Sequence, residues 1–162
     1  MSGKIRTQTK MSLPEVIEIV PLVSSPEMEI TVPGSKSITN RSLILAALSN
    51  GVVTLENALW SEDTQVMVDA LRLLGYKIEV NLDPAEPGNR NLIIEGRGES
   101  IPKGGLTEAP LELFVGNAGT AARFLTAFLC LGKGTYRLSG VSRMHERPQA
   151  SLLKSLRELG YR

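Results

Sequence analysis

The amino-acid sequence predicts an α/β fold made of two copies of one plan. Three observations carry that expectation. Short runs rich in β-branched and apolar residues alternate along the chain with stretches whose apolar residues recur at helical spacing. Glycine-bearing turns stand immediately before two of those helical stretches. Matching landmarks also recur at a nearly constant separation. Gly34 and Gly116 lie 82 residues apart, as do Arg41 and Arg123, and Asn50-Gly51 precedes Lys133-Gly134 by 83. Leu71-Arg72-Leu73-Leu74-Gly75-Tyr76 precedes Leu156-Arg157-Glu158-Leu159-Gly160-Tyr161 by 85. A slow drift of this kind is what small loop insertions produce, and such repetition marks units that stack to bury a shared core.

Taken in order, residues 1–13 read as a disordered tail, polar and basic and without an apolar targeting segment. Residues 14–26 contain Val16-Ile17-Glu18-Ile19-Val20, which reads as a strand closed by Pro21. The first unit, about 27–100, opens on the alternating strand Met28–Val32 and the turn Pro33-Gly34-Ser35-Lys36. A helix follows through Leu48, then a turn at Asn50-Gly51 and a strand at Val52–Leu55. Ser61-Glu62-Asp63 reads as a helix start, with a capping hydroxyl and acidic residues in the first turn. Val66, Met67, Ala70, Leu73 and Leu74 continue that helix until Gly75 ends it. Strands are expected at Lys77–Val80 and Asn91–Glu95 around the polar loop 83–88. The second unit, about 106–162, repeats the plan: strand Leu111–Val115, turn Gly116–Gly119, helix Thr120–Leu131, strand Thr135–Leu138. Its last helix opens at Arg147-Pro148, with an apolar stripe of Ala150, Leu153, Leu156 and Leu159. This copy stops at Arg162, before two strands of the plan. The expectation is therefore a fragment, or a second chain that supplies the rest.

Composition narrows the function. With 42% hydrophobic and 22% charged residues the chain is expected to be globular. Its 18 basic and 17 acidic side chains leave a net charge of +1, which argues against nucleic acid as a partner. Any anion site must come from local placement of cations. Cys130 is the one cysteine and His145 the one histidine, so neither an internal disulfide nor a multi-histidine metal site is available. No apolar run approaches the ~18 residues of a membrane span, and a cytoplasmic protein is expected, or a plastid one after removal of a transit peptide.

The chemistry gathers at two helix starts. Lys36, Ser37 and Arg41 stand at the first, with Ser37 and Arg41 four apart and on one face. Thr120 and Arg123 share a face at the second. A third cationic cluster lies in the loop Val141–Pro148, with Arg143 and Arg147. Free backbone N–H groups and the positive end of the helix dipole favour anions at such places. Arginine suits bidentate carboxylate or phosphate, and lysine suits point contact and proton transfer. Generic motifs fail: Gly34-Ser35-Lys36-Ser37 lacks the earlier glycine of a Walker A loop. His145 reads as a solvated loop residue, Cys130 as a buried thiol and Trp60 as packing.

Three motifs in order, Pro33-Gly34-Ser35-Lys36-Ser37-Ile38-Thr39-Asn40-Arg41, Gly116-Asn117-Ala118-Gly119-Thr120-Ala121-Ala122-Arg123 and Arg143-Met144-His145-Glu146-Arg147-Pro148, together resemble the 5-enolpyruvylshikimate-3-phosphate (EPSP) synthases over about residues 14–162. The resemblance implies a transferase that moves the enolpyruvyl group of phosphoenolpyruvate to shikimate 3-phosphate, with phosphate released and no cofactor or metal. The step belongs to aromatic amino acid biosynthesis and is the glyphosate target. It implies an inside-out, prism-like α/β barrel of repeated βαβαββ units, with one complete unit and one truncated unit here. Lys36, Ser37 and Arg41 would contact shikimate 3-phosphate. Lys36 would also reach phosphoenolpyruvate and act in catalysis, while Asn117, Gly119, Arg123 and Arg143 would hold phosphoenolpyruvate. The family's second domain lies outside these residues, and the strand in 14–26 would belong to it. Phe124 stands where many relatives carry proline, so glyphosate sensitivity does not carry over, and Gln149 replaces a commoner isoleucine. Two other readings stay open: a binding module without turnover, and the sister family acting on UDP-N-acetylglucosamine, whose reactive loop cysteine has no counterpart in Cys130.

Overall fold

The computed structural model describes residues 15–30, 32–98, 100, 101 and 104–161. The chain divides into two units, Met1–Thr31 and Val32–Arg162. The described part of the first unit contains neither helix nor strand, and Val16, Ile17, Ile19, Val20, Met28 and Ile30 are exposed. Two sequence-based expectations fail here. Val16–Val20 and Met28–Val32 carry strand-like alternation, yet no described residue of either belongs to a ladder. Alternation supplies an apolar face, but a strand forms only where another edge takes up its N–H and C=O groups. No described strand pairs with these segments. The tail expected over 1–13 lies outside the described residues.

The second unit runs α1 (Lys36–Leu48), β1 (Asn50–Leu59), α2 (Glu62–Leu73), β2 (Ile78–Leu82), β3 (Asn89–Arg97), β4 (Leu111–Phe114), α3 (Gly119–Leu129), β5 (Tyr136–Ser139), α4 (Ser142–His145) and α5 (Ala150–Glu158). β1, β3 and β2 form an antiparallel sheet in that order. β4 and β5 pair in parallel, with α3 as the crossover between them. α1 packs on β1 and β3 and touches both α2 and α3. Leu43, Met67, Leu71, Leu92, Ile94, Leu113 and Leu125 are fully buried where these layers meet.

Local chemistry explains the element ends. Ser61 precedes α2 and forms a capping box with Thr64, whose Oγ1 accepts from Ser61 N at 2.9 Å. Gly75 and Gly160, with φ of 87° and 93°, close α2 and α5. Gly75 N–H donates to Arg72 O at 2.8 Å and Gly160 N–H to Arg157 O at 2.9 Å. The next residues bond to the carbonyl one residue further back, Tyr76 N–H to Leu71 O at 3.0 Å and Tyr161 N–H to Leu156 O at 3.1 Å. Both are Schellman closures, which need a left-handed residue and so favour glycine. Their surroundings differ, because Leu71 and Tyr76 are buried whereas α5 buries none of its residues. A cavity of about 880 Å³ opens between α3, β5 and α5, lined by Ala122, Leu129, Leu138, Leu153 and Leu156 among others.

The 141–148 segment also departs from expectation. Residues 142–145 form the short helix α4, and α5 begins at Ala150 behind the N-cap Gln149, three residues beyond Arg147. Proline lacks an N–H and pushes the residue before it out of the helical region. Pro148 therefore separates the two helices and does not open the second.

Candidate functional site

The end of β1 assembles the first helix start. A bulge falls between Leu55 and Ala58, with Asn57 at φ 54°. Such a bulge bends its strand, and here it brings the Asn57 carbonyl up to Gly34. A Cβ on Gly34 would lie 2.5 Å from Asn57 O and 3.0 Å from Leu59 N, so close approach requires the glycine. Asn89, buried at the start of β3, accepts the Gly34 N–H at 3.0 Å and fixes the turn from the other side. The Leu59 backbone is gripped on both sides. Its N–H donates to Thr39 Oγ1 of α1 at 3.1 Å, and its carbonyl accepts from Thr64 Oγ1 of α2 at 2.7 Å. The N-terminal turns of α1 and α2 are thereby held to one strand end.

On this frame Ser35 is the N-cap of α1, its hydroxyl accepting from Ile38 N at 3.4 Å. Lys36 and Ser37 follow in the first turn and are exposed. Lys36 Nζ pairs with Asp63 Oδ2 of α2 at 3.0 Å. At this exposure the pair is worth about 0.2–1 kcal/mol, little enough for a competing anion to displace it. Arg41, one turn on, places its guanidinium carbon 6.0 Å from the centroid of the Phe124 ring of α3, which joins the two helices.

At the second helix start the N-cap is Ala118, and no side chain caps α3. Gly116, at φ 52°, makes the turn. Asn117 is exposed, and Gly119 is buried with no Cβ. A methyl group there would meet Arg147 Nη1 and would lie 3.8 Å from Arg123 Nη1. Arg123 Nη2 donates to Pro148 O at 3.3 Å. Arg143 is exposed on α4 and pairs with Glu146 Oε2 at 2.6 Å. His145 sets Nε2 at 3.1 Å from Gly140 O. Burial pushes the Cys130 thiol up, and its Sγ donates to Thr126 O at 3.3 Å, as a largely inert thiol would.

The predicted residues thus fall into three groups. Lys36, Ser37 and Arg41 share the first turns of α1. Gly119 and Arg123 share those of α3, with Arg147 beside them. Arg143 is turned to its own neighbour. Among the described residues no hydrogen bond or ion pair links Lys36 or Ser37 to Asn117, Gly119, Arg123 or Arg143, and the join runs through Arg41 and Phe124. Asp63, Thr39 and Asn89 were not legible as site residues. Asp63 looks like ordinary first-turn acid, and the bonds of Thr39 and Asn89 span 20 and 55 positions of sequence. Among the described residues no group of three or more His, Cys, Asp or Glu side chains could hold a metal ion, and no helix is long and apolar enough to cross a membrane.

Comparison with known proteins gives the same direction. The family model described as EPSP synthase (3-phosphoshikimate 1-carboxyvinyltransferase) matches residues 23–162. A 3-phosphoshikimate 1-carboxyvinyltransferase of Opitutus terrae is 48% identical over 152 residues, covering 93% of this chain and 33% of its own length. One from Trichormus variabilis is 44% identical over 142 residues, 87% of this chain and 31% of that protein. A solved EPSP synthase from Acinetobacter baumannii superimposes with a TM-score of 0.68 at 30% identity, over 82% of this chain and 28% of its own. The chain therefore spans about a third of the length of the curated relatives it matches. With the family model running through both helix starts and on to residue 162, the chain belongs to the EPSP synthase family.

Proposed function

We propose that this chain forms one wall of a 3-phosphoshikimate 1-carboxyvinyltransferase site, in which enolpyruvyl passes from phosphoenolpyruvate to shikimate 3-phosphate and phosphate leaves. Lys36, Ser37 and Arg41 contact shikimate 3-phosphate at the start of α1. Lys36 exchanges Asp63 for substrate, reaches phosphoenolpyruvate and moves protons. Asn117 and Gly119 border the phosphoenolpyruvate pocket, where the missing Cβ lets the Arg147 guanidinium close in, and Arg123 and Arg143 take its anionic groups. Two polyanionic substrates facing cations placed in advance suit a step in which charge develops in the transition state. The observation that carries the reading is the arrival of the Pro33–Arg41 motif at the α1 N-terminus, with Arg41 reaching α3. The finer architecture belongs here too, an inside-out α/β barrel of repeated βαβαββ units. Its support is the paired left-handed glycines, Gly51 with Gly134 and Gly75 with Gly160. The protein is read as cytoplasmic.

Because the chain spans about a third of its relatives' length, the reading assigns it substrate binding and leaves turnover to the whole protein. A phosphate-release assay with both substrates tests this. The purified chain is expected to release no phosphate above background, and clear turnover by it alone would overturn the division.

A further inference from the structure

We propose that Asn40 is a positioning residue for the site at the start of α1, a buried amide dipole that turns its Nδ2 end toward an incoming anionic substrate. The proposal rests on the reading above for Lys36, Ser37 and Arg41 and adds a residue that touches no ligand. An anomaly of the fold carries it. Asn40 is 0% exposed, and among the described residues neither its Nδ2 nor its Oδ1 has a hydrogen-bond partner. Tyr76, Asp83 and Gln149 each leave one buried atom unmet, whereas Asn40 leaves its whole carboxamide unmet. Buried polar groups without partners oppose folding. Asn40 continues a buried row with Leu43 and Ala47, where an apolar side chain would pack with no unmet group. Its neighbours in sequence are both engaged, Thr39 Oγ1 by the Leu59 N–H and Arg41 by the Phe124 ring.

Position supplies the use. Lys36 and Ser37 stand four and three residues before Asn40, so both are its neighbours on the helix surface. Helical side chains lean toward the N-terminus, which sets the carboxamide beneath the turn that carries Lys36 and Ser37. No hydrogen bond dictates which end of the amide faces that turn. Its dipole therefore follows the local field, and an anion at the turn draws the Nδ2 end toward itself and the Oδ1 end away. The two ends are nearly alike in shape and opposite in polarity, so reorientation needs no repacking. Away from water such a dipole is poorly screened and acts on charge without contact.

The test is a calorimetric titration of the full chain and its Asn40→Leu variant with shikimate 3-phosphate, beside urea melts of both. Leucine keeps the size of the side chain and removes the dipole. The variant is expected to unfold at the same or a higher urea concentration, yet to bind about three- to five-fold more weakly. Opposite signs in the two readouts separate a positioning role from a structural one, which would lower the urea midpoint. A lower midpoint, or unchanged affinity, overturns the proposal. If Asn40→Leu fails to fold, the wild-type Asn40 side-chain amide resonances carry the test. They are expected to shift in step with the Ser35–Ser37 backbone amides as the ligand saturates. Saturable binding at Ser35–Ser37 with an unresponsive Asn40 amide overturns this proposal and leaves the α1 reading standing. No binding and no response at Ser35–Ser37 overturns the α1 reading, and the role of Asn40 with it.

Discussion

Tyr76 shows how one buried hydroxyl sets a pH limit. Its ring is buried against Phe128 at 6.0 Å between centroids, and its hydroxyl finds no partner among the described residues. Burial pushes the phenol up, the Arg97 guanidinium pulls it partly back, and Tyr136 raises it further. A raised folded-state value means stability intact below the ordinary tyrosine range near about 10 and lost as pH climbs through the folded value. Tyr76→Phe removes an unsatisfied polar group, so it is expected to raise stability by up to about 1 kcal/mol and to flatten the alkaline loss. Urea melts at pH 8 and above pH 10 check both, and a destabilised variant would show that the hydroxyl has a partner. Phe124 makes the second residue-scale case. A sequence reading sees only that it breaks a family pattern, whereas the structure puts its ring under Arg41. An exposed cation–π contact is worth about 0.5–1 kcal/mol. Phe124→Leu is therefore expected to weaken shikimate 3-phosphate binding about two- to five-fold while the melting temperature stays close to wild type, and calorimetric titration measures it.

Most elements were legible because their signals are local. Ser61 and Gly75 bracket α2 by capping and closure, and the observed helix obeys both. Apolar residues on either side of the polar loop 83–88 located β2 and β3 within a few residues. What failed was non-local. Val16–Val20 and Met28–Val32 have strand composition but no ladder, because pairing depends on another segment. Pro148 was read as opening α5 when it separates two helices. The role of Thr64 also escaped, since its contacts come from folding the end of β1 back over α2. Fully buried, it accepts from Ser61 N and lies 2.7 Å from Leu59 O. Thr64→Val keeps the shape and strands both groups, so a loss of about 1–2 kcal/mol is expected, read from urea unfolding. A change within ±0.5 kcal/mol would mean that the capping box does not hold α2. The two Schellman closures make a further test possible. They are chemically alike, but α2 is packed and α5 buries nothing. Amides of α5 are expected to exchange with solvent faster than those of α2, and equal protection would mean that α5 packs more firmly than its exposure indicates.

At the scale of the whole molecule, the α/β class and the two helix starts were readable from spacing alone, because glycine, lysine and arginine sit where a helix N-terminus needs them. The wiring between those starts was not readable. It runs through the bulge at Asn57, the Asn89 side chain and the Arg41–Phe124 contact, each joining residues far apart in sequence. The central proposal is that this wiring presents Lys36, Ser37 and Arg41 to shikimate 3-phosphate. Titrating the chain with shikimate 3-phosphate, beside its Arg41→Ala variant, tests it most directly. Saturable binding that perturbs the Ser35–Ser37 amides, weakens with salt and falls at least ten-fold in the variant is expected. Absent binding, or binding that Arg41→Ala leaves unchanged, would contradict it.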